Sequence, residues 1–300
     1  MVAEVLVALR PKPGGRYVDG TIGGGGHAAA ILQASTPNGW LFGSDSDGAA
    51  LEAAASRLVE FAGRFELKRG NFSELADWLA PESCDGVLLD LGVSSPQLDW
   101  VERGFSFQQS GPLDMRMDTR QPLTAERLVN EASADELMRI FRDLGEEPEA
   151  RRLARAIENE RRLRRFGTTR QLAELIEKVS RRRGKRLHPA TRVFQALRMA
   201  VNDELGALRS GLEAALKILK PQGRLAVITF HSGEDRLVKE FGRRHSRDYA
   251  LPGAVDVPEL RQPRAAKLKW VRRKTIRPGT DELAANPRAR SAQLRVLEKI

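Results

Sequence analysis

Residues 18–27 read Val18-Asp19-Gly20-Thr21-Ile22-Gly23-Gly24-Gly25-Gly26-His27, and no other stretch constrains the chain as tightly. An acid ends an apolar strand, a glycine-rich loop follows, and a small-residue helix over 28–33 begins behind it. Glycine lets the backbone take positive φ and lets a ligand approach the main chain. The helix start offers unpaired N–H groups. Four consecutive glycines exceed what a tight turn needs, so the stretch reads as a ligand loop for a nucleoside-containing cofactor.

Two cofactor classes compete for it. A dinucleotide fingerprint fits as Gly23, Gly25 and Ala28, with Asp45 about 20 residues on from the loop as the ribose-binding acid. A pyrophosphate is anionic, however, and Asp19 sits just before the loop. A carboxylate there suits a cofactor that carries cationic groups and no phosphate, as S-adenosylmethionine does with its ammonium and sulfonium. The loop favours the methyl donor and leaves a nicotinamide dinucleotide as the rival.

Strand and helix signals alternate through the first hundred residues. Apolar strands end at Asp19, near Asp45, before Gly70-Asn71-Phe72 and at Asp90. That alternation predicts a doubly wound α/β sheet, which binds ligands outside the carboxyl ends of its strands. Asp19, Asp45, Phe72 and Asp90 all fall at such ends. Residues 91–122 read as loop, and 124–210 as helices only. A strand returns over 223–230, and alternating segments at 267–271 and 293–297 read as a possible hairpin. The expected organisation is one Rossmann-like domain in two parts, 1–105 and 209–300, interrupted by a helical insertion over 106–208.

Charge follows that division. Residues 151–198 hold 16 Lys/Arg against 4 Asp/Glu, more than the net +10 of the whole chain. Arg161-Arg162-Leu163-Arg164-Arg165 and the run from Arg181 to Arg186 lack compensating acids nearby. A polyanion is the expected partner of the insertion, and nucleic acid is the usual one. A single cysteine, Cys84, excludes an internal disulfide or a thiolate metal centre. Four scattered histidines give no metal-ligand spacing, so no metal is expected. No signal peptide or membrane-length apolar run is read, and a cytoplasmic protein is expected.

Several longer motifs extend the reading. They are Asp19 to His27; Leu88-Leu-Asp-Leu-Gly-Val-Ser-Ser-Pro-Gln-Leu-Asp99; Arg103-Gly-Phe-Ser-Phe107; and Gly111-Pro-Leu-Asp-Met-Arg-Met-Asp118. Further on come His188-Pro-Ala-Thr-Arg-Val-Phe-Gln-Ala-Leu-Arg198, Phe230-His-Ser-Gly-Glu-Asp-Arg236 and Asn286-Pro-Arg-Ala-Arg-Ser291. Over nearly its whole length the chain resembles the MraW family, bacterial methyltransferases that modify N4 of a cytidine in small-subunit ribosomal RNA. The resemblance implies a class I methyltransferase domain with a helical insertion and S-adenosylmethionine as donor. It implies small-subunit rRNA as partner, within the assembled subunit at its decoding region. It carries cofactor contacts over to Gly25, Gly26, His27, Asp45, Phe72, Asp90 and Gln97; Asp19 joins them on its charge. Asp45 is expected on the ribose hydroxyls, Phe72 against adenine, and Asp90 at the methionine end or the reacting centre.

Members of the family usually begin with a segment containing His-x-Pro-Val. Here Met1-Val-Ala-Glu-Val5 opens the chain, so either part of the wall over the cofactor is missing or the true start lies upstream. Ala28 stands where serine is common, and Gly233, in place of a leucine, is expected to loosen its loop. For the proton that leaves N4, the Ser94-Ser95-Pro96-Gln97 stretch offers Ser95 or local backbone carbonyls, with Asp114 and Asp118 as further acceptors. Arg116, Arg192 and Arg198 are the expected RNA contacts, although Arg116 also reads as a staple on a neighbouring carboxylate. Phe105 and Phe107 fit lid or core packing better than base stacking, and His231 fits a structural hydrogen bond better than a base. The non-enzymatic alternative is an RNA-binding assembly factor with a vestigial cofactor site.

Overall fold

The structure is a computed structural model that describes residues 1–181, 188–250 and 257–300, without the side chain of Ser95. The chain divides into two compact units, Met1–Gly92 with Leu205–Ile300, and Val93–Glu204. The sequence boundaries at 105/106 and 208/209 thus stand against observed divisions at 92/93 and 204/205.

The first unit is a seven-stranded sheet. Its strands are β1 (Arg16–Asp19), β2 (Trp40–Asp45), β3 (Phe65–Arg69), β4 (Cys84–Asp90), β5 (Leu219–Thr229), β8 (Leu268–Trp270) and β9 (Gln293–Lys299). The minor pair β6 (Tyr249–Ala250) and β7 (Gln262–Pro263) stands apart. Spatial order is β3-β2-β1-β4-β5-β9-β8. The first five strands run parallel, and β9 and β8 close one edge antiparallel. The segments at 267–271 and 293–297 do pair, as read from their alternation. This is the expected Rossmann-like sheet. Its order reverses between β1 and β4, which opens a crevice at their carboxyl ends.

Helices cover both faces: α1 (Val2–Leu9), α2 (Gly26–Ala34), α3 (Gly48–Arg57), α4 (Leu75–Trp78), α11 (Glu204–Ile218) and α12 (Ser232–Ser246); the short α13 (Thr280–Ala285) buries no residue. Side chains alternate across a strand, and the central strands are apolar on both faces. Val18, Val87, Leu89, Leu225 and Val227 pack with Leu212 and Val238. Tyr17, Leu41, Leu88 and Ile228 pack with Val5 and Ile31. No helix among the described residues is long and apolar enough to cross a membrane.

The second unit is built from α5 (Ser95–Asp99), α6 (Ala125–Glu131), α7 (Ala134–Asp143), α8 (Ala150–Leu163), α9 (Thr169–Val179) and α10 (Thr191–Val201). Its core gathers Leu128, Leu137, Phe141, Leu153, Ile157, Leu172, Ile176, Val193 and Leu197. Thr124, Ser133 and Thr168 cap α6, α7 and α9. Helix α5 lies where the sequence reads as loop. Five residues are too few for an apolar period to show, but Ser94 and Gln97 form a reciprocal capping box around it.

A buried ion pair ties α12 to the antiparallel edge. Arg295 Nε donates to Asp235 Oδ1 at 2.5 Å and Nη2 to Oδ2 at 3.2 Å, with side chains 10% and 11% exposed. Asp235→Ala leaves that buried guanidinium without its carboxylate, with the Trp270 ring 5.8 Å away, and should destabilise the protein by about 3–5 kcal/mol in urea titration. A loss below about 1 kcal/mol would mean the pair is solvated and does not anchor the edge.

Candidate functional site

The crevice is built by the turns that leave β1, β2 and β4. Gly20 N–H donates to Leu88 O at 2.9 Å and Ile22 N–H to Ser44 O at 3.0 Å, which hold the loop between the strand ends. Gly25 has φ +78°, and a Cβ there would also press on Ala54 of α3. Its glycine is required twice, by conformation and by packing. Gly24 and Gly26 differ, because a Cβ on either would meet nothing within 4 Å. Their bare backbone borders open space where a ligand can reach it. Helix α2 starts there with no side-chain cap, so its first N–H groups face that space.

Three carboxyl groups and one imidazole share the crevice. Asp19 is buried and accepts from Thr21 N–H at 3.2 Å. Burial pushes its pKa up to about 7; the His27 imidazole and the Thr21 N–H work against the shift, and Asp90 and Asp45 add to it. Asp45 accepts from Gly23 N–H and Asp47 N–H, both at 2.9 Å, which aims its carboxylate back across the glycine loop. Burial raises its pKa despite those donors. Asp90 lies 3.4 Å from His27 Nε2, and its own N–H donates to Thr21 Oγ1 at 2.6 Å. Burial opposes the charged imidazole of His27, but the Asp90 carboxylate and then Asp19 outweigh it and raise its pKa. His27 therefore contributes through its ring, where sequence gives it mainly a backbone role.

Two buried atoms in this group have no hydrogen-bond partner among the described residues: Asp90 Oδ1 and His27 Nδ1. An unmet buried acceptor costs about 1–3 kcal/mol, so they fit a site completed by a ligand. Phe72 lies beside the crevice in a one-turn 3-10 helix (Phe72–Glu74), capped by Asn71 Oδ1 accepting from Ser73 N–H at 2.9 Å. Gly211 of α11 makes room for its ring, since a Cβ there would overlap the Phe72 ring. Thr21 and Gly211 are the two residues that sequence reading missed. Thr21 carried a signal as the one hydroxyl inside the glycine motif; Gly211 carried none.

Asp19, Gly25, Gly26, His27, Asp45, Phe72 and Asp90 thus come together in the first unit. Of the other sequence-nominated residues, His231 also belongs to the first unit and the rest belong to the second. Gln97 is buried, and its Oε1 accepts from Ser94 N–H at 3.0 Å as part of the α5 cap. Ser95 opens α5, and its side chain lies outside the described residues. Both oxygens of Asp114 are taken by Arg116, at 2.8 Å each. Although burial raises its pKa, Arg116 and then Arg103 more than reverse that and hold it below the usual carboxylate range. A carboxylate so paired is a poor proton acceptor, which corrects the sequence choice of Asp114. Asp118 is paired with Arg120 at 2.6 Å.

The nominated arginines are also engaged. Arg116 donates to Thr119 O and Gln121 O besides Asp114, so it staples its loop. Arg198 holds Glu204 at 2.6 and 2.8 Å with side chains 16% and 10% exposed, and Arg192 Nη1 donates to Glu146 O at 2.6 Å. All three guanidinium groups are held by internal bonds, Arg192 by Nη1 alone. Arg151, Arg155, Arg162, Arg164 and Arg165 along α8 and just after it are exposed instead. Of the run from Arg181 to Arg186, only Arg181 lies within the described residues. Phe105 is buried in the core, and Phe107 packs edge-to-face on Phe194 and tilted against His188, at 4.8 and 4.7 Å. His231 caps α12, accepting from Glu234 N–H, and Gly233 lies in the first turn of that helix, not in a loose loop.

These shifts fix how stability follows pH. An acid whose folded pKa is raised destabilises progressively as pH rises from the unfolded value through the folded one. A histidine whose folded pKa is raised stabilises at low pH and loses that contribution as pH rises through it. Asp19 and His27 therefore act in the same direction: Asp19 withdraws stability from its ordinary value near pH 4 up to about 7, and the His27 contribution is lost above its ordinary 6.5, so the ligand-free protein should lose stability across that range. Asp19→Asn keeps the acceptor for Thr21 N–H and should flatten that slope in melts across the range, with a higher Tm than the parent at pH 8. Parallel pH curves for the two proteins would contradict the buried-acid assignment. Gly211→Ala should cost about 1–3 kcal/mol by overpacking and displace Phe72; unchanged stability would mean that the ring does not need the bare helix backbone.

A profile of the MraW methylase family matches residues 1–300. The chain is 51% identical over 306 residues to the ribosomal RNA small subunit methyltransferase H of Syntrophotalea carbinolica, covering 100% of this chain and 96% of that protein. It is 50% identical to proteins of the same name from Symbiobacterium thermophilum and Geobacter sulfurreducens, covering 100% of this chain and 95% and 97% of theirs. With the glycine loop, the crevice acids and the inserted helical unit all contained in that match, the chain belongs to the MraW methylase family.

Proposed function

We propose that this chain transfers the methyl group of S-adenosylmethionine to the exocyclic N4 of a cytidine in the decoding region of small-subunit (16S) ribosomal RNA. The observation that carries the reading is the crowding of Asp19, Asp45 and Asp90 around one glycine loop with Asp90 Oδ1 unpaired. A pyrophosphate would meet three acids there, whereas a ligand with an ammonium and a sulfonium relieves their repulsion. The relatives carry the acceptor side, since their names state a small-subunit ribosomal RNA methyltransferase. The substrate form proposed is the assembled subunit, and the place of action the cytoplasm.

In this reading Asp45 accepts from the ribose hydroxyls, and the N-terminus of α2 with Gly26 and His27 borders the rest of the nucleoside. Phe72 covers the adenine face. Asp19 and Asp90 hold the cationic end, with His27 fixing the Asp90 carboxylate. S-adenosylmethionine supplies an electrophilic methyl carbon; N4 forms the new bond, sulfur keeps the pair from the broken one, and N4 loses a proton. Cytosine N4 is a weak nucleophile because its lone pair is delocalised into the ring, so alignment supplies much of the rate. The acceptor for the proton is assigned to the stretch after β4, Ser95 or a neighbouring backbone carbonyl. The exposed arginines of α8 are assigned to RNA phosphates, which position a strand without reading its sequence.

Small ribosomal subunits lacking the modification, incubated with the protein and labelled S-adenosylmethionine, should yield label in N4-methylcytidine on nucleoside analysis. Label in another nucleoside, or none despite cofactor binding, would overturn the assignment. Asp45→Asn removes a charge-assisted acceptor worth about 1.5–3 kcal/mol. It should weaken S-adenosylmethionine binding by roughly 10- to 100-fold in calorimetry; an unchanged Kd would remove Asp45 from the site.

A further inference from the structure

Net charge conceals a second basic region. Residues 257–300 hold 12 Lys/Arg against 4 Asp/Glu, yet they lie in the sheet unit and not in the helical one. Much of that charge is paired: Lys269 with Glu298, Lys299 with Glu82, Arg295 with Asp235. Arg272, Arg273, Lys274, Arg277 and Arg290 are different. All five are exposed, and none of their charged groups has an ion pair or hydrogen bond among the described residues.

The backbone pins this charge in one place. Val271 N–H donates to Val296 O at 3.1 Å, and Ile276 exchanges two bonds of 2.9 Å with Leu294. Between those anchors Arg272-Arg273-Lys274-Thr275 bulges out opposite Arg295 alone. Beyond them, Gly279 N–H donates to Glu4 Oε1 at 3.0 Å, and the Met1 amino group holds Glu282 at 3.0 Å. Those two nearby acids are thereby occupied, leaving Asp281 as the exposed acid closest in sequence. Arg290 sits in the 3-10 turn Pro287–Ser291 that feeds directly into β9.

Register gives the bulge its relation to the crevice. Asp90 is opposite Ile228, Ile228 opposite Leu294, and Leu294 opposite Ile276. One cross-strand row therefore runs from the crevice acid to the foot of the basic bulge. Three strand spacings of about 4.8 Å put the two roughly 14 Å apart along the same edge of the sheet. Because β9 is antiparallel, its N-terminal end lies at the carboxyl edge where the ligand site opens.

We propose that Arg272, Arg273, Lys274, Arg277 and Arg290 form an RNA-phosphate platform on the sheet unit itself, beside the crevice. It holds the strand flanking the target cytidine independently of the helical unit. The inference rests on the proposed RNA substrate. Edge strands often carry charges that block aggregation, but this charge lies beyond the end of β8, is of one sign, and includes Arg290 from another segment. Like charges pinned together are costly for the free protein, and a phosphodiester backbone is the ligand that offsets the cost.

The test uses the full chain, a small-subunit rRNA fragment containing the methylated cytidine, and assembled subunits. The combined variant Arg272→Gln, Arg273→Gln, Lys274→Gln should lower the slope of log affinity against log salt by about 2, near 0.7 per lost phosphate contact on a single strand. KM for RNA should rise roughly tenfold, with kcat and S-adenosylmethionine affinity unchanged. Lysine at positions 272 and 273 should restore the slope, which a merely structural role would not do. Should the triple variant fold poorly, Arg277→Gln and Arg290→Gln should each lower the slope by about 0.7. An unchanged slope and KM in variants of a wild type that binds and methylates RNA overturns the platform alone. So does a raised KM on assembled subunits with unchanged binding to the free fragment, which would reassign the surface to a ribosomal protein. A wild type that neither binds nor methylates RNA brings down the proposed function instead.

Discussion

Everything at the ligand crevice depends on carboxyl groups that repel one another in a place with little water. Asp19 is buried at the end of β1, with Asp45 and Asp90 close enough to raise its pKa further. The His27 imidazole opposes the shift on Asp19, and its own pKa rises beside Asp90 and Asp19. A fold does not gather three acids around a glycine loop for stability, because burying charge without a full partner is costly. Backbone donors from Gly23, Thr21 and Asp47 lessen the cost and also fix where the oxygens point. The crevice is thus built before any ligand arrives, and its electrostatics select for a cation.

The sheet makes that arrangement possible. Reversal of strand order between β1 and β4 separates the turns that leave them, so a gap opens just beyond the hydrogen-bonded strand ends that carry Asp19 and Asp90. Apolar packing on both faces makes the strand ends rigid, and α2, α3 and α11 meet them where only glycine fits, at Gly25 and Gly211. The antiparallel edge continues the same row of residues outward to the basic bulge. Acid inside the crevice and base along its rim are complementary demands, one for a small cationic donor and one for a polyanionic acceptor.

Asp19, Asp45, Phe72 and Asp90 are legible in the sequence because each ends an apolar run, and a parallel strand's end is where such a sheet binds. The helical unit is legible from its periodicity, and β8 pairing with β9 from alternation. The arginines are not legible. Arg192 finds its partner 46 residues away and Arg198 finds Glu204 across a turn, so no local pattern separates a stapled guanidinium from a free one. Net charge misleads similarly: the excess over 151–198 hides the basic stretch after residue 257, because acids elsewhere cancel it in the total. Helix α5 escapes because a capping box, and no apolar period, defines it.

Calorimetric titration of S-adenosylmethionine and of NAD into the ligand-free protein at pH 7, in two buffers of different ionisation enthalpy, tests the central claim most directly. A cation entering the crevice must drive protons off Asp19 and His27. Binding of S-adenosylmethionine with net proton release, and no binding of NAD, is the predicted result. Binding of NAD, or S-adenosylmethionine binding with no proton released, would contradict the account of the crevice as a cation-selecting site.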